Sequence, residues 1–357
     1  MSGKIGVLII DDSAITRSVI ARELAKAGDI EVVATAADPL TARDLILEKR
    51  PDVITLDLEL PRMDGLTFLR RVLKYSPVPA IVCSSLTPAG CSKAMECLEA
   101  GACDVIGKPK SGNTAEWGAQ LVELVRGAAR ARVGRRPIEP LPPPIAKPVA
   151  ATTTPPPVTG VDSRKIIAIG SSTGGTEALR TVLAALPYET PAILMTQHMP
   201  EGFTKPFSER LNGLSRMDVR EATDGEPVRP GLALLAPAGR HLRLSRENGR
   251  YVARLSDGPA VKRHRPSVEV LFESVAQAAG AHAMGVILTG MGDDGADGLL
   301  SMHRAGALTV AQDETSCVVF GMPKAAIAKG GVRVICPLED VAARIRDFTS
   351  GALSHAA

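Results

Sequence analysis

Aromatic side chains are scarce in this sequence: one Trp, three Tyr and six Phe among 357 residues. A surface that stacks nucleic-acid bases needs several of them beside a basic run, and no such run is present. A formal net charge of +3 is also too near zero to supply a strong field for phosphates. No apolar run approaches the roughly 18 residues of a membrane-spanning helix, so direct membrane insertion is not expected. The first apolar run, residues 5–10, is too short for a signal sequence and leads straight into two aspartates. The six cysteines contain no CxxC pair, which argues against a zinc site. Several lie in apolar segments and read as buried free thiols, so a disulfide framework is not expected either. The expectation is a cytoplasmic, monomeric protein without a nucleic-acid partner.

Proline, by contrast, is concentrated. Residues 132–160 hold Pro137, Pro140, Pro142, Pro143, Pro144, Pro148 and the run Pro155, Pro156, Pro157. So few large apolar residues cannot bury a core, and such a segment tends to extend as polyproline II. A chain of this length suggests two domains. The sequence therefore divides into residues 1–130, a proline-rich linker at 131–161, and residues 162–350.

Both flanking segments alternate apolar runs with amphipathic stretches. In the first, strands are expected at 6–10, 31–35, 53–56, 80–83 and 104–106, with helices at 14–27, 39–49, 66–74, 91–100 and 114–130. Five such units in about 130 residues predict a compact parallel sheet with helices on both faces. In the second, buried-type strands are expected at 165–169, 192–196, 284–288, 308–311 and 332–335. Helices are expected at 177–186, 203–214, 267–279 and 298–305. Short alternating runs over 231–255, with turn signals at 237–239 and Asn248-Gly249, predict an inserted β-ribbon, because Asn-Gly favours a two-residue hairpin. The second segment is read as a doubly wound, mostly parallel α/β domain with that hairpin inserted.

Ligands of open parallel sheets bind beyond the carboxyl ends of the strands. In the first segment those ends carry Asp11 and Asp12, then Asp57, then Ser84, then Lys108 followed by Pro109. Converging carboxylates repel one another, and a hard cation such as Mg2+ relieves that repulsion. A carboxylate beside Mg2+ can accept a phosphoryl group. Lys108 offers a charge for the phosphoryl oxygens and Ser84 a hydroxyl. The competing reading of Asp12 or Ser13 is a helix cap.

In the second segment the first strand runs into Gly170-Ser171-Ser172-Thr173-Gly174-Gly175, the next ends in Gln197-His198, and a later one ends in Thr289-Gly290-Met291-Gly292-Asp293-Asp294-Gly295. A glycine-rich strand-to-helix turn either cradles a dinucleotide phosphate or presents a nucleophile. The second strand does not end in the acidic residue a ribose would need. His198 in that position favours hydrolysis instead. Ser172, His198 and Asp294 supply a nucleophile, a base and a carboxylate. Residue types alone leave Ser171, Asp293, His241, His264, His282 and His303 open as alternatives, and either serine or either aspartate can be read as a helix cap.

Two resemblances close those choices. Asp11-Asp12, Asp57 within DLELPRMDGL, Ser84 and Lys108-Pro109 resemble the receiver domain of two-component response regulators, over about residues 4–128. The resemblance implies a five-stranded flavodoxin-like fold and phosphorylation of Asp57 by a histidine kinase. It further implies Mg2+ held by Asp12 and Asp57 with Asp11 assisting, and a switch through Ser84 and Lys108. Residues 164–345 resemble the catalytic domain of the chemotaxis protein-glutamate methylesterases, the CheB family. The matching runs include IAIGSSTGGTEAL, TQHMPEGFTKPFSERL, HRPSVEVLFESVA and GVILTGMGDDGADGL. That resemblance implies Ser172 as nucleophile, His198 as base, Asp294 as carboxylate, the Met291 backbone N–H as an oxyanion donor, and Thr173 lining the turn. Serine stands at 171 where the family often has alanine. The implied activity is demethylation of glutamate methyl esters, and deamidation of glutamines, on methyl-accepting chemoreceptors. No cofactor is implied for the hydrolase. In the unphosphorylated state the receiver would cover the active site. Rival readings are a receiver fused to a nucleotide-binding module, a non-enzymatic scaffold, and the same enzyme in a non-flagellar chemosensory pathway.

Overall fold

The computed structural model describes residues 3–85, 87–108, 114–131 and 160–352. Most of the expected linker, residues 132–159, and Pro109 lie outside the described residues. The chain divides into two compact units, residues 1–140 and 141–357.

The first unit runs β1 (Ile5–Ile10), α1 (Ala14–Ala25), β2 (Ile30–Ala36), α2 (Pro39–Lys49), β3 (Val53–Asp57), α3 (Gly65–Tyr75), β4 (Ala80–Ser84), α4 (Pro88–Glu99), β5 (Asp104–Gly107) and α5 (Thr114–Ala129). All strand pairs are parallel, in the order β2-β1-β3-β4-β5. Helices on both faces explain why β3, β4 and β5 are buried along their whole length. Val7, Ile9, Ile81, Ile106 and Leu121 form part of one core. The strand order reverses between β1 and β3, so a crevice opens at their carboxyl ends. Helices leaving this edge take their caps from other residues. Ser13 Oγ accepts the Thr16 N–H for α1, Asp64 accepts the Thr67 N–H for α3, and Thr87 accepts the Gly90 N–H for α4. Asp11, Asp12 and Asp57 are thereby spared for the crevice. Gly65 is required where it stands, since a Cβ there would lie 2.4 Å from the Asp57 carbonyl oxygen.

The second unit runs β6 (Ile166–Ser171), α6 (Gly175–Ala184), β7 (Ala192–Gln197), α7 (Thr204–Leu214), β8 (Asp218–Glu221), β9 (Glu226–Pro227), β10 (Leu232–Leu235), β11 (His241–Glu247), β12 (Arg250–Ser256), α8 (Val268–Ala279), β13 (Ala283–Ile287), α9 (Ala296–Arg304), β14 (Leu308–Gln312), α10 (Met322–Ala328), β15 (Val334–Cys336) and α11 (Leu338–Ser350). Seven parallel strands form one sheet, ordered β15-β14-β13-β6-β7-β10-β8. The chain builds outward from β6 first on the β7 side and then on the β13 side. The switch point therefore lies at the carboxyl ends of β6 and its two neighbours.

The expected ribbon is smaller than the sequence suggests. The hairpin is β11–β12, with Asn248 (φ 50) and Gly249 (φ 77) as its two-residue turn, and β9 adds a short third strand. Residues 232–235, expected in the ribbon, form β10 and belong to the large sheet. Their sequence LALL is buried throughout, which marks a central parallel strand and not a half-exposed ribbon. The hairpin packs Leu242, Leu244, Tyr251 and Ala253 into the same core as Leu271 and Val275 of α8. Strand β8 and helices α10 and α11 were not expected. Among the described residues strand β8 pairs only with β10, and it reads DVRE, an edge segment without apolar periodicity.

Candidate functional site

At the first crevice, ligand atoms of Asp11, Asp12 and Asp57 lie within 4.8 Å of one another. Asp11 and Asp57 are buried and Asp12 is exposed. The Lys108 ammonium donates to Asp57 Oδ2 at 2.6 Å. It also lies 3.3 Å from Asp11 Oδ2, without hydrogen-bond geometry. Burial drives the Asp57 carboxyl above its ordinary pKa; Lys108 opposes this without reversing it. For Lys108 burial works downward, but the bond to Asp57 and the two negative neighbours leave it above the ordinary lysine value. The Ser84 hydroxyl is committed to the Gly90 and Ser85 carbonyls, at 3.0 and 3.2 Å. Three carboxylates, one with a buried oxygen that has no hydrogen-bond partner among the described residues, make a donor set that suits Mg2+.

At the second crevice, β6 and β7 run side by side, with Ser171 opposite Gln197. Ser172 and His198 are therefore the first residues past the ends of neighbouring strands, and the His198 N–H donates to the Ser171 carbonyl at 3.1 Å. The two serines separate by their bonds. The buried Ser171 hydroxyl donates to Gln197 Oε1 at 2.6 Å. The Gln197 amide in turn donates to the Ser172 carbonyl at 2.8 Å and the His198 carbonyl at 3.1 Å. Ser172 contributes only backbone groups to this network. Neither serine caps α6, whose cap is Gly174 with no side-chain bond.

His198 Nε2 lies 2.7 Å from Asp294 Oδ2. Asp294 is 1 % exposed and does not cap the helix that follows it. Its carboxylate instead reaches the N-terminus of α8. It accepts from Ser267 Oγ and the Val268 N–H at 2.7 Å each, and from the Glu269 N–H at 3.1 Å. Burial works to raise the Asp294 pKa, but the bonds from His198, Ser267 and Val268 outweigh it and hold the carboxyl below its ordinary value. An ionised acceptor fixes the proton of neutral His198 on Nε2. The lone pair is then on Nδ1, which is buried and has no hydrogen-bond partner among the described residues. Gly290 packs against Ser172: a Cβ there would lie 2.8 Å from Ser172 Cβ and 3.1 Å from Ser172 N. Met291 is the residue that follows Gly290 in the chain. Thr173 is buried, and its carbonyl accepts from Thr289 Oγ1 at 3.0 Å.

The alternatives left open by residue type fall apart. Asp293 pairs with Lys262 at 2.9 Å. His241 is held by the Pro259 carbonyl and the Ser267 N–H. His282 is exposed, and His303 lies 3.4 Å from the Thr309 hydroxyl. His264 alone joins the site, its ring stacked on His198. Ser267, Glu269 and Gln197 carry no catalytic role in the sequence reading, and His264 enters it only as an alternative base. The motif HRPSVE carried three of them, but nothing in its spacing pointed to Asp294, some 30 residues away.

The CheB methylesterase family model matches residues 167–345 and the response regulator receiver model matches residues 7–115. The chain is 55 % identical to a protein-glutamate methylesterase/protein-glutamine glutaminase of Anaeromyxobacter dehalogenans, over 96 % of this chain and 94 % of that one. It is 50 % identical to the protein of the same name from Salmonella typhimurium, over 95 % of each. Among solved structures, the catalytic domain of Thermotoga maritima CheB methylesterase aligns with a TM-score of 0.50 at 38 % identity, covering 51 % of this chain and 96 % of that one. With matches that span nearly its whole length, the chain belongs to the CheB methylesterase family and carries a response regulator receiver domain at its N-terminus.

Proposed function

We propose that this protein is a phosphorylation-activated protein-glutamate methylesterase and protein-glutamine glutaminase acting on methyl-accepting chemoreceptors in the cytoplasm. The observation that carries the chemistry is the 2.7 Å pair of His198 Nε2 and buried Asp294 beside the Ser172 turn. Ser172 Oγ attacks the γ-carbonyl carbon of a glutamyl methyl ester while His198 Nδ1 takes its proton. Asp294 stabilises the imidazolium that forms. The Met291 backbone N–H donates to the oxyanion of the tetrahedral centre. The centre collapses to an acyl ester on Ser172 as His198 passes its proton to the departing methoxide and methanol leaves. Water deprotonated by His198 then attacks the acyl carbon, and the proton returns to Ser172 Oγ as the glutamate is released. A glutamine amide follows the same course and loses ammonia. Thr173 shapes the turn through its backbone.

In the receiver, Asp12 and Asp57, with Asp11, would hold Mg2+, which supplies charge neutralisation for phosphoryl transfer. Asp57 is the residue that accepts the phosphoryl group from a histidine kinase. Lys108 then pairs with the new oxygens, and Ser84 leaves the Gly90 carbonyl to bond one of them. That exchange of hydrogen-bond partners is the switch that raises esterase activity.

Methanol release from methylated receptor, with and without a small phosphodonor, tests both halves. Activity should rise with the donor, vanish in Ser172→Ala and persist in Ser171→Ala. Activity in Ser172→Ala refutes the nucleophile. A donor-induced rise that persists in Asp57→Ala refutes the switch.

A further inference from the structure

His264 has no part in the chemistry outlined above, yet its ring lies face to face with His198. The ring centroids are 3.7 Å apart and the planes differ by 12°. The contact is held from two directions. Val261 and His264 exchange two backbone hydrogen bonds, at 3.0 and 2.9 Å. These close a two-residue turn through Lys262 (φ 50) and Arg263 (φ 69), a left-handed conformation that residues with a Cβ seldom adopt. The Lys262 ammonium pins this turn to Asp293 at 2.9 Å and Asp297 at 3.2 Å. Those carboxylates flank Asp294 in the chain. The loop before α9 and the first turn of that helix therefore supply the partner of His198 and also anchor the turn that delivers His264.

The arrangement answers a mechanical need. Among the described residues, the His198 ring is hydrogen-bonded at Nε2 alone, and Nδ1 has no partner. A ring held at one nitrogen can swivel about that contact, which would turn the lone pair away from Ser172. A parallel ring against its face removes that freedom.

We propose that His264 is a positioning residue: its neutral ring, stacked on His198, holds the imidazole in the plane that presents Nδ1 to Ser172. The proposal rests on the reading of His198 as the general base. Burial drives the His264 pKa down, and the neighbouring His198 ring acts in the same direction. The pair therefore carries a single positive charge when His198 takes the serine proton, and the neutral π face lies against the imidazolium.

The test uses the full chain, with methylated receptor as substrate and methanol as the readout. In His264→Ala, kcat should fall about tenfold while KM stays within twofold, the signature of an interaction that acts on the chemical step. His264→Phe restores a flat face and should return kcat to within threefold of the parent. Nitrogen-15 spectra of the substrate-free chain add a readout independent of turnover. His198 should show one Nε2–H tautomer in the parent and in His264→Phe, and an exchange-broadened ring in His264→Ala. An unchanged kcat in His264→Ala, or a His264→Phe variant that folds but loses tenfold or more, overturns the proposal. Where His264→Ala does not fold, His264→Phe decides by the same limits. Activity surviving in His198→Ala brings down the site reading itself. Loss there beside an unaffected His264→Ala overturns only the role of His264.

Discussion

Replacing Asp294 with Asn removes a charge and keeps the shape, and the structure says how the amide will sit. The carboxylate accepts four bonds. Oδ2 takes His198 and Val268 N–H; Oδ1 takes Ser267 Oγ and Glu269 N–H. If the amide nitrogen occupies the Oδ2 position, it opposes the Val268 N–H and forces the imidazole proton onto Nδ1. If it occupies the Oδ1 position, the oxygen keeps His198 and Val268. The Ser267 hydroxyl rotates to accept, and only the Glu269 N–H loses its partner. The second orientation sacrifices the longest bond, 3.1 Å, and should prevail. One unpaired buried N–H costs about 1–3 kcal/mol of stability. The tautomer survives, so the catalytic loss is the charge facing the imidazolium. Unit charges 4 Å apart at an effective dielectric near 20 interact by about 4 kcal/mol, which is about 10³-fold in kcat. A reversed tautomer would cost about 10⁴-fold. Methanol release should therefore slow by about 10³, with KM nearly constant. Hydrogen exchange should accelerate at the Glu269 amide while Val268 keeps its protection. A kcat within tenfold of the parent, or exchange that accelerates at Val268 instead, would refute this account.

Further predictions follow from single contacts. Ser171→Ala leaves Gln197 Oε1 without its 2.6 Å donor and should cost about 1–3 kcal/mol of stability, read as a lower denaturation midpoint of the second unit, while activity stays within a few-fold of the parent. Glu269 lies buried beside Asp294 with one carboxylate oxygen unpartnered among the described residues, and burial pushes its pKa up to about 7. The folded state thus prefers the neutral acid, so stability is fully present below about pH 4.5 and declines as pH rises to about 7, by roughly 3 kcal/mol in all. Glu269→Gln should be more stable than the parent at pH 8 and flatter in its pH dependence, and equal stability at pH 8 would contradict this. Trp117, the only tryptophan, donates to the Gly107 carbonyl at 2.7 Å, next to Lys108. Its fluorescence should report Mg2+ binding to the receiver, reversibly with a chelator, and the response should weaken in Asp12→Ala. Gly65→Ala places a methyl 2.4 Å from the Asp57 carbonyl oxygen, and phosphorylation of Asp57 by a small phosphodonor should slow at least tenfold.

Much of the fold was legible because buried parallel strands announce themselves as short apolar runs. All five strands of the first unit fall within a residue or so of their expected positions at each end. Legibility failed where burial and periodicity part company. Residues 232–235 read as part of the ribbon because they form a short run that leads into the turn residues 237–239, and only their pairing with β7 and β8 places them in the large sheet. Strand β8 had no apolar pattern to read.

By itself the sequence determined which residue types end each strand: aspartates and a lysine in one sheet, serine, histidine and aspartate in the other. Strand ends of an open parallel sheet share one edge, so that inference needs no coordinates. The tertiary structure decided which atoms meet. It assigned the Ser171 hydroxyl to Gln197 and the Asp294 carboxylate to the N-terminus of α8, and it brought His264 face to face with His198. These contacts join residues some 26 to 66 positions apart in the chain. Their geometry depends on how helices and turns pack across the strand ends, and no local pattern in a sequence encodes that packing.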